Sequence, residues 1–320
     1  MTYHVLIPDR VDPAAVELLR EAGGIEVTAP GRMSREETLA AIGTVDGLII
    51  RSTTQADAEL IGMAPRLKAI VRAGAGVDNV DLPAATARGV VVMNTPEGNT
   101  VSTAEHTFAL MLALARHIPA AHQALAEGRW ERKAFEGVEL KGKTLGIVGL
   151  GRVGRAVAER ALAFGMTVIA YMPYSAADPE IEAVGFDELL ARSDFISLHP
   201  RLTDETRGMI DAAAIAKMKP GVRIVNAARG AIVDEHALAD ALRSGHVAGA
   251  AVDVYPQEPP SPDYPLVGLP NVVHTPHLAA STADAQIAVA VLAAEQMAGA
   301  LLRGEYRNVT NPEALPASSG

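Results

Sequence analysis

Six residues carry the clearest chemical signal in the chain: Gly149-Leu150-Gly151-Arg152-Val153-Gly154. Each glycine has a physical task. Gly149 permits a tight turn, Gly151 lets backbone approach a pyrophosphate, and Gly154 lets a helix pack close to a strand. The helix start adds free N–H groups and the positive end of a dipole. Such a triplet is weak by itself. Here residues 144–149 read as an apolar strand and 152–164 as a helix, the setting that dinucleotide binding demands. The fingerprint also calls for an acid roughly 20 residues on, to bond ribose hydroxyls. The next strand, 167–171, runs instead into Met172-Pro173. Methionine neither accepts those bonds nor repels a 2′-phosphate. The loop therefore predicts a nicotinamide dinucleotide, NAD with NADP left open. Asp178 lies nearby in a loop whose course the sequence does not give. Arg201, after the strand 195–198, is a candidate partner for a 2′-phosphate, and an exposed loop arginine is the competing reading.

Holding such a loop requires a parallel sheet, and the pattern supplies two. Short apolar runs at 5–7, 25–27, 45–50, 67–71 and 90–93 alternate with helical segments, among them 13–21 and one opened by Asp81. That alternation predicts βαβ units. A long, mostly apolar helix follows at 102–116, then a polar arm at 128–139 with the only Trp. A second series brings six strands, at 144–149, 167–171, 195–198, 222–225, 248–252 and 272–274. The last strong helix, 282–303, is read as packing back onto the first domain. This predicts an α/β protein of two Rossmann-like doubly wound domains. Residues 1–98 with 285–320 form a discontinuous substrate domain, and 99–284 the dinucleotide-binding domain. Residues 313–320 read as a disordered tail.

Composition narrows the function classes. The 320 residues are 49% hydrophobic and 21% charged, with a net charge of -10. No long basic run exists, which speaks against nucleic acid. The absence of cysteine excludes disulfides, thiolate metal sites and thiol catalysis. No metal site is expected. The N-terminus has no signal-peptide pattern, and the longest apolar segment is read as 108–115, too short for a bilayer. A cytoplasmic protein without membrane partners is the expectation.

Beyond these readings the chain resembles the D-isomer-specific 2-hydroxyacid dehydrogenases, most closely the D-3-phosphoglycerate dehydrogenases. The likeness rests on Arg72-Ala73-Gly74-Ala75-Gly76-Val77-Asp78-Asn79, Asn94-Thr95-Pro96, the arm from Gly128 to Lys133, Asn226-Ala227-Ala228-Arg229-Gly230, Ala251-Val252-Asp253-Val254 with Glu258-Pro259, and Pro276-His277-Leu278-Ala279-Ala280. Family order across these motifs is more specific than any one of them.

The resemblance implies Arg229 as the grip on a substrate carboxylate, His277 as acid/base and Glu258 as its partner. The chemistry agrees: guanidinium binds carboxylate bidentately, and imidazole titrates near neutrality. It implies cofactor contacts from Gly149, Gly151, Arg152, Val153, Gly154, Met172, His199, Pro200, Ala227, Asp253 and Ala280. It implies substrate contacts from Arg51, from backbone N–H groups of Gly74, Ala75 and Gly76, and from Arg132 and Lys133 on an arm that reaches a partner in a homodimer. The first domain should be flavodoxin-like. The remaining eight histidines, His106 among them, read as structural or exposed.

The expected reaction is oxidation of 3-phospho-D-glycerate to 3-phosphooxypyruvate. A glyoxylate, hydroxypyruvate or other 2-oxo acid reductase stays open, as does a dinucleotide-sensing binding protein like the corepressors of this fold. Two departures bear on cofactor and substrate choice: Ala75 stands where these enzymes carry Thr, and His199-Pro200-Arg201 alters their Thr-Pro order. The chain ends soon after its long last helix, so a serine-sensing regulatory domain is not expected.

Overall fold

The computed structural model describes residues 2–173 and 178–316. Two compact units emerge, Met1–Asn99 with Thr282–Gly320 and Thr100–Ser281.

The first unit holds five parallel strands: β1 (Tyr3–Leu6), β2 (Ile25–Thr28), β3 (Gly47–Ile50), β4 (Ala69–Arg72) and β5 (Val91–Asn94). Their order is β2-β1-β3-β4-β5, the flavodoxin-like arrangement. β3 and β5 are buried at every residue, as strands covered on both faces must be. Local signals fix the helix starts. Asp12 caps Pro13–Glu21, with Pro13 preset for the first turn. Ser34 and Glu37 form a capping box on Arg35–Ala41. The helix Ala283–Arg303 covers one face of this sheet, its Val289, Ala293 and Met297 packed with Val5, Ile49 and Val71.

Two expectations change here. Ala283–Arg303, not 108–115, is the most extended apolar stretch. By length and composition it could cross a membrane, with mean hydropathy 1.5, yet 61% of that stretch is buried inside the fold. Its alanines make a core helix of a sequence whose few polar residues are scattered. The tail is also ordered further than its composition suggests. Pro312–Ala314 forms a 3-10 turn with Ala314 buried. Just before it, the buried Asn311 side chain accepts from the Val92 N–H and donates to the Val90 carbonyl. Residues 317–320 lie outside the described residues.

The second unit holds seven parallel strands: β6 (Thr144–Val148), β7 (Thr167–Tyr171), β8 (Glu182–Ala183), β9 (Phe195–Leu198), β10 (Val222–Asn226), β11 (Val247–Val252) and β12 (Val272–His274). Their order is β12-β11-β10-β9-β6-β7-β8. The two-residue edge strand β8 is too short to leave a period in the sequence. From β6 the chain builds outward through β7 and β8, then returns to lay β9 on the other side of β6. Ligands bind at that reversal, outside the carboxyl ends of the strands. Helices Thr100–Ala115 and Arg152–Ala163 pack on one face of the sheet. Phe186–Arg192, Ala212–Ala216 and Glu235–Ser244 pack on the other.

Candidate active site

The glycine loop leaves β6 at the reversal point. Gly149 has φ +92, and a Cβ there would sit 2.9 Å from His199 and Pro200 backbone atoms at the end of β9. A Cβ on Gly154 would lie 2.3 Å from the Gly149 carbonyl oxygen. Gly151 is different. It caps the helix Arg152–Ala163 without a side-chain bond, and nothing lies within 4 Å of its Cβ position. Two glycines thus serve the fold, while the middle one leaves space open at the helix N-terminus, where Arg152 and Val153 begin the first turn.

Around that space, Met172 is half-buried against the apolar layer beside β6 and β7. Asp178 is tied to Arg155 of the glycine-loop helix at 2.5 Å. The nearby acid is therefore already paired. Arg201 is exposed, and Pro200 half-buried. His199 bonds Ser197 Oγ at 2.8 Å. Burial drives its pKa down to about 4, so its ring is neutral at physiological pH.

The expected catalytic residues come from three successive strand ends. Arg229 follows β10, where buried Ala227 continues the strand and the Asn226 amide donates to the Arg229 carbonyl. Its own guanidinium donates to the Ala228 carbonyl at 2.7 Å. Glu258 sits on the loop after β11, just before a cis Pro259. One of its oxygens accepts the Tyr255 N–H at 3.1 Å, and the other meets His277 Nδ1 at 2.7 Å. A carboxylate accepts only, so Nδ1 carries a proton, and in the neutral ring Nε2 keeps its lone pair.

His277 has a left-handed backbone, φ +53. Its N–H donates to the Asp253 carbonyl at 2.8 Å. The Asp253 side chain completes the mount. It accepts Thr275 Oγ1 and the Leu278 N–H at 2.7 Å each, the Ala279 N–H at 2.9 Å and His106 Nε2 at 3.2 Å. Burial alone would raise this carboxyl's pKa, but the donors, His106 first, outweigh it and hold the pKa below the usual carboxylate range. Asp253 is fully buried. Expected among the cofactor contacts, Asp253 supports the loop bearing His277, with three donors on Oδ1 and one on Oδ2. Ala280, at that loop's end, is half-buried.

In the first unit, four expected substrate residues, Arg51, Gly74, Ala75 and Gly76, stand at the carboxyl edge of the sheet. The Arg51 N–H donates to buried Asp9, which also accepts the Thr54 hydroxyl, and the Asn79 amide ties down the Arg51 and Thr54 carbonyls. The loop after β4 departs from expectation at one residue. The Gly74 N–H donates to Thr95 Oγ1 at 2.8 Å, so it is not available to an anion. The Arg72 guanidinium lies against Gly74 where a Cβ would project. The Ala75 carbonyl accepts the Asn94 amide. Ala75 is exposed and Gly76 half-buried, leaving their N–H groups as the anion-facing candidates. Arg132 and Lys133 are exposed on a short 3-10 turn, Arg132–Phe135.

Sequence reasoning missed Asp9, Thr95, Tyr255 and His106. Asp9, Thr95 and His106 act through bonds to distant segments, while Tyr255 acts three residues away on its own loop.

The family description "D-isomer specific 2-hydroxyacid dehydrogenase, NAD binding domain" matches residues 108–279. A D-3-phosphoglycerate dehydrogenase of Archaeoglobus fulgidus is 49% identical over 318 residues, 98% of this chain and 60% of that protein. One from Rattus norvegicus is 45% identical, covering 98% and 59%. The chain thus spans about 60% of the length of these curated relatives. Among solved structures, the TT0316 protein of Thermus thermophilus superposes with TM-score 0.87 at 38% identity, covering 96% of this chain and 99% of that one. An NADPH-dependent glyoxylate/hydroxypyruvate reductase of Sinorhizobium meliloti, solved with NADP and malonate, gives 0.87 at 28% identity with full coverage of both. With its second unit built as that family's NAD-binding domain, the chain belongs to the D-isomer specific 2-hydroxyacid dehydrogenases.

Proposed function

We propose that this protein transfers a hydride between a nicotinamide cofactor and a D-2-hydroxy acid, with 3-phospho-D-glycerate and 3-phosphooxypyruvate as the leading pair. The observation that carries the reading is the 2.7 Å contact between His277 Nδ1 and Glu258, itself oriented by the Tyr255 N–H. That contact leaves His277 Nε2 free to take the hydroxyl proton during oxidation and return it during reduction. Glu258 favours the imidazolium that forms. Arg229 grips the substrate carboxylate and polarises the reacting carbon's oxygen. A bound nicotinamide supplies the hydride acceptor. Arg51 is the proposed phosphate ligand, assisted by the Ala75 and Gly76 N–H groups on an anionic oxygen.

Arg132 and Lys133 join the phosphate site of a homodimer in this reading. Ile118, Leu125 and Trp130 support it, being 53%, 59% and 76% exposed along the segment that leads to them. Apolar side chains so exposed suit an interface. A cytoplasmic location fits the same reading.

A second reading has support in Met172. Without an acid at the ribose position, NADPH-dependent reduction of glyoxylate or hydroxypyruvate suits the site as well. Initial rates with 3-phospho-D-glycerate, 3-phosphooxypyruvate, glyoxylate and hydroxypyruvate, each with both cofactors, separate the two. His277→Ala and Arg229→Ala should each lower kcat/KM at least about a hundredfold. Absence of turnover on every pair would overturn the enzyme reading in favour of a dinucleotide-binding protein.

A further inference from the structure

We propose that His106, outside the catalytic trio, is a positioning residue that sets the height of His277 through Asp253. The inference rests on the dehydrogenase reading above.

The argument starts from the loop. Thr275 to Ala279 leaves β12 and must present His277 in a left-handed conformation, which side chains other than glycine adopt at a cost. Local sequence does not favour that shape, so something must impose it. Asp253 does so from the neighbouring strand end, β11. Its main-chain oxygen takes the His277 N–H, and its carboxylate takes the next two N–H groups and the Thr275 hydroxyl.

Three of these anchors converge on one side chain, so that side chain must itself be fixed. The covalent attachment to β11 holds only its Cα. His106, on the helix Thr100–Ala115 that packs on this sheet, supplies the remaining constraint. Its Nε2 lies 3.2 Å from both Asp253 Oδ1 and Thr275 Oγ1. Asp253 is an acceptor, so Nε2 carries the proton and donates. The helix is thereby latched to the loop by one ring. His106 lies beside buried Thr103 and Leu110 on that helix, and this contact accounts for its place there. Its side chain keeps 21% exposure, so its removal should not empty a core cavity.

Leucine matches the imidazole in bulk but donates nothing, whereas glutamine can bring an N–H to nearly the same point. His106→Leu should lower kcat about ten- to a hundredfold, the range expected when a reacting group shifts by about an ångström. KM for the hydroxy acid, Kd for the cofactor and Tm should change little. His106→Gln should restore most of kcat. Thr275→Val supplies an independent check, because it removes a neighbouring donor to the same oxygen. Its effect on kcat should combine non-additively with that of His106→Leu.

A wild-type kcat in His106→Leu would overturn the proposal. So would a loss that glutamine fails to restore, or one that follows a fall in Tm. Failure of the dehydrogenase reading looks different: the wild-type protein itself would turn over no hydroxy acid, while cofactor titration would still report an intact fold.

Discussion

A Cβ on Gly230 would lie 2.1 Å from the carbonyl carbon of Tyr255. The loop carrying Arg229 and the loop carrying Glu258 touch there, backbone to backbone, and only a hydrogen atom fits. Gly230→Ala must push them apart. Overpacking of this kind costs about 1–3 kcal/mol, and a displaced carboxylate grip costs turnover. We expect a lower Tm in a thermal melt and kcat/KM reduced about tenfold or more. An unchanged melt with unchanged kinetics would mean the two loops separate freely.

The three glycines of the nucleotide loop should behave differently on substitution. Gly154→Ala meets the Gly149 carbonyl at 2.3 Å, so the protein should be less stable even without ligand. Gly151→Ala meets nothing in the chain. Its Tm should stay near wild type, while the cofactor Kd rises about tenfold or more, because only a bound pyrophosphate would feel the methyl. Fluorescence titration beside a melt checks both. Tight cofactor binding by Gly151→Ala would place the pyrophosphate elsewhere.

Met172 stands where the glycine-loop motif calls for a ribose-binding acid, and Asp178 is held by Arg155. Met172→Asp should restore an acceptor for ribose hydroxyls and repel a 2′-phosphate. The ratio of kcat/KM for NAD over NADP should rise at least about tenfold, since like-charge contacts cost several kcal/mol. If the ratio holds, the ribose lies away from this residue.

His199 makes stability depend on pH. Its folded pKa, about 4, is below the ordinary histidine value. The unfolded chain therefore binds a proton more readily, so the contribution is present above about pH 6.5 and is lost as pH falls towards 4. Partial solvent exposure of the side chain keeps the loss modest, on the order of 1 kcal/mol. Melts of wild type and His199→Gln at pH 7 and pH 4.5 should show a smaller acid drop in the variant. Equal drops would exclude His199 as the source.

Much of this was legible because strong signals are local. Strands β7, β9 and β12 match the apolar runs, and the first helix starts at its Pro. Gly149 and Gly154 could be read from a motif whose spacing is set by one turn. The roles of Asp253 and Gly74 could not. Asp253 has the residue type of a cofactor contact, and only the fold turns it towards residues 275–279. Gly74 offers a backbone N–H like its neighbours until Thr95, on another strand end, takes it. His106 is silent for the same reason: its partners lie more than a hundred residues downstream. Long-range hydrogen bonds leave no period in a sequence.

The left-handed turn at His277 has a consequence for the history of such chains. Glycine at this position would adopt φ near +53 without strain, at the loss of the imidazole's contact with Glu258. Chemistry and folding therefore pull in opposite directions at one residue. A descendant freed from the need for turnover would drift downhill here first, keeping the nucleotide loop and losing the imidazole. A dinucleotide binder descended from this fold should carry its mark of lost catalysis at this turn.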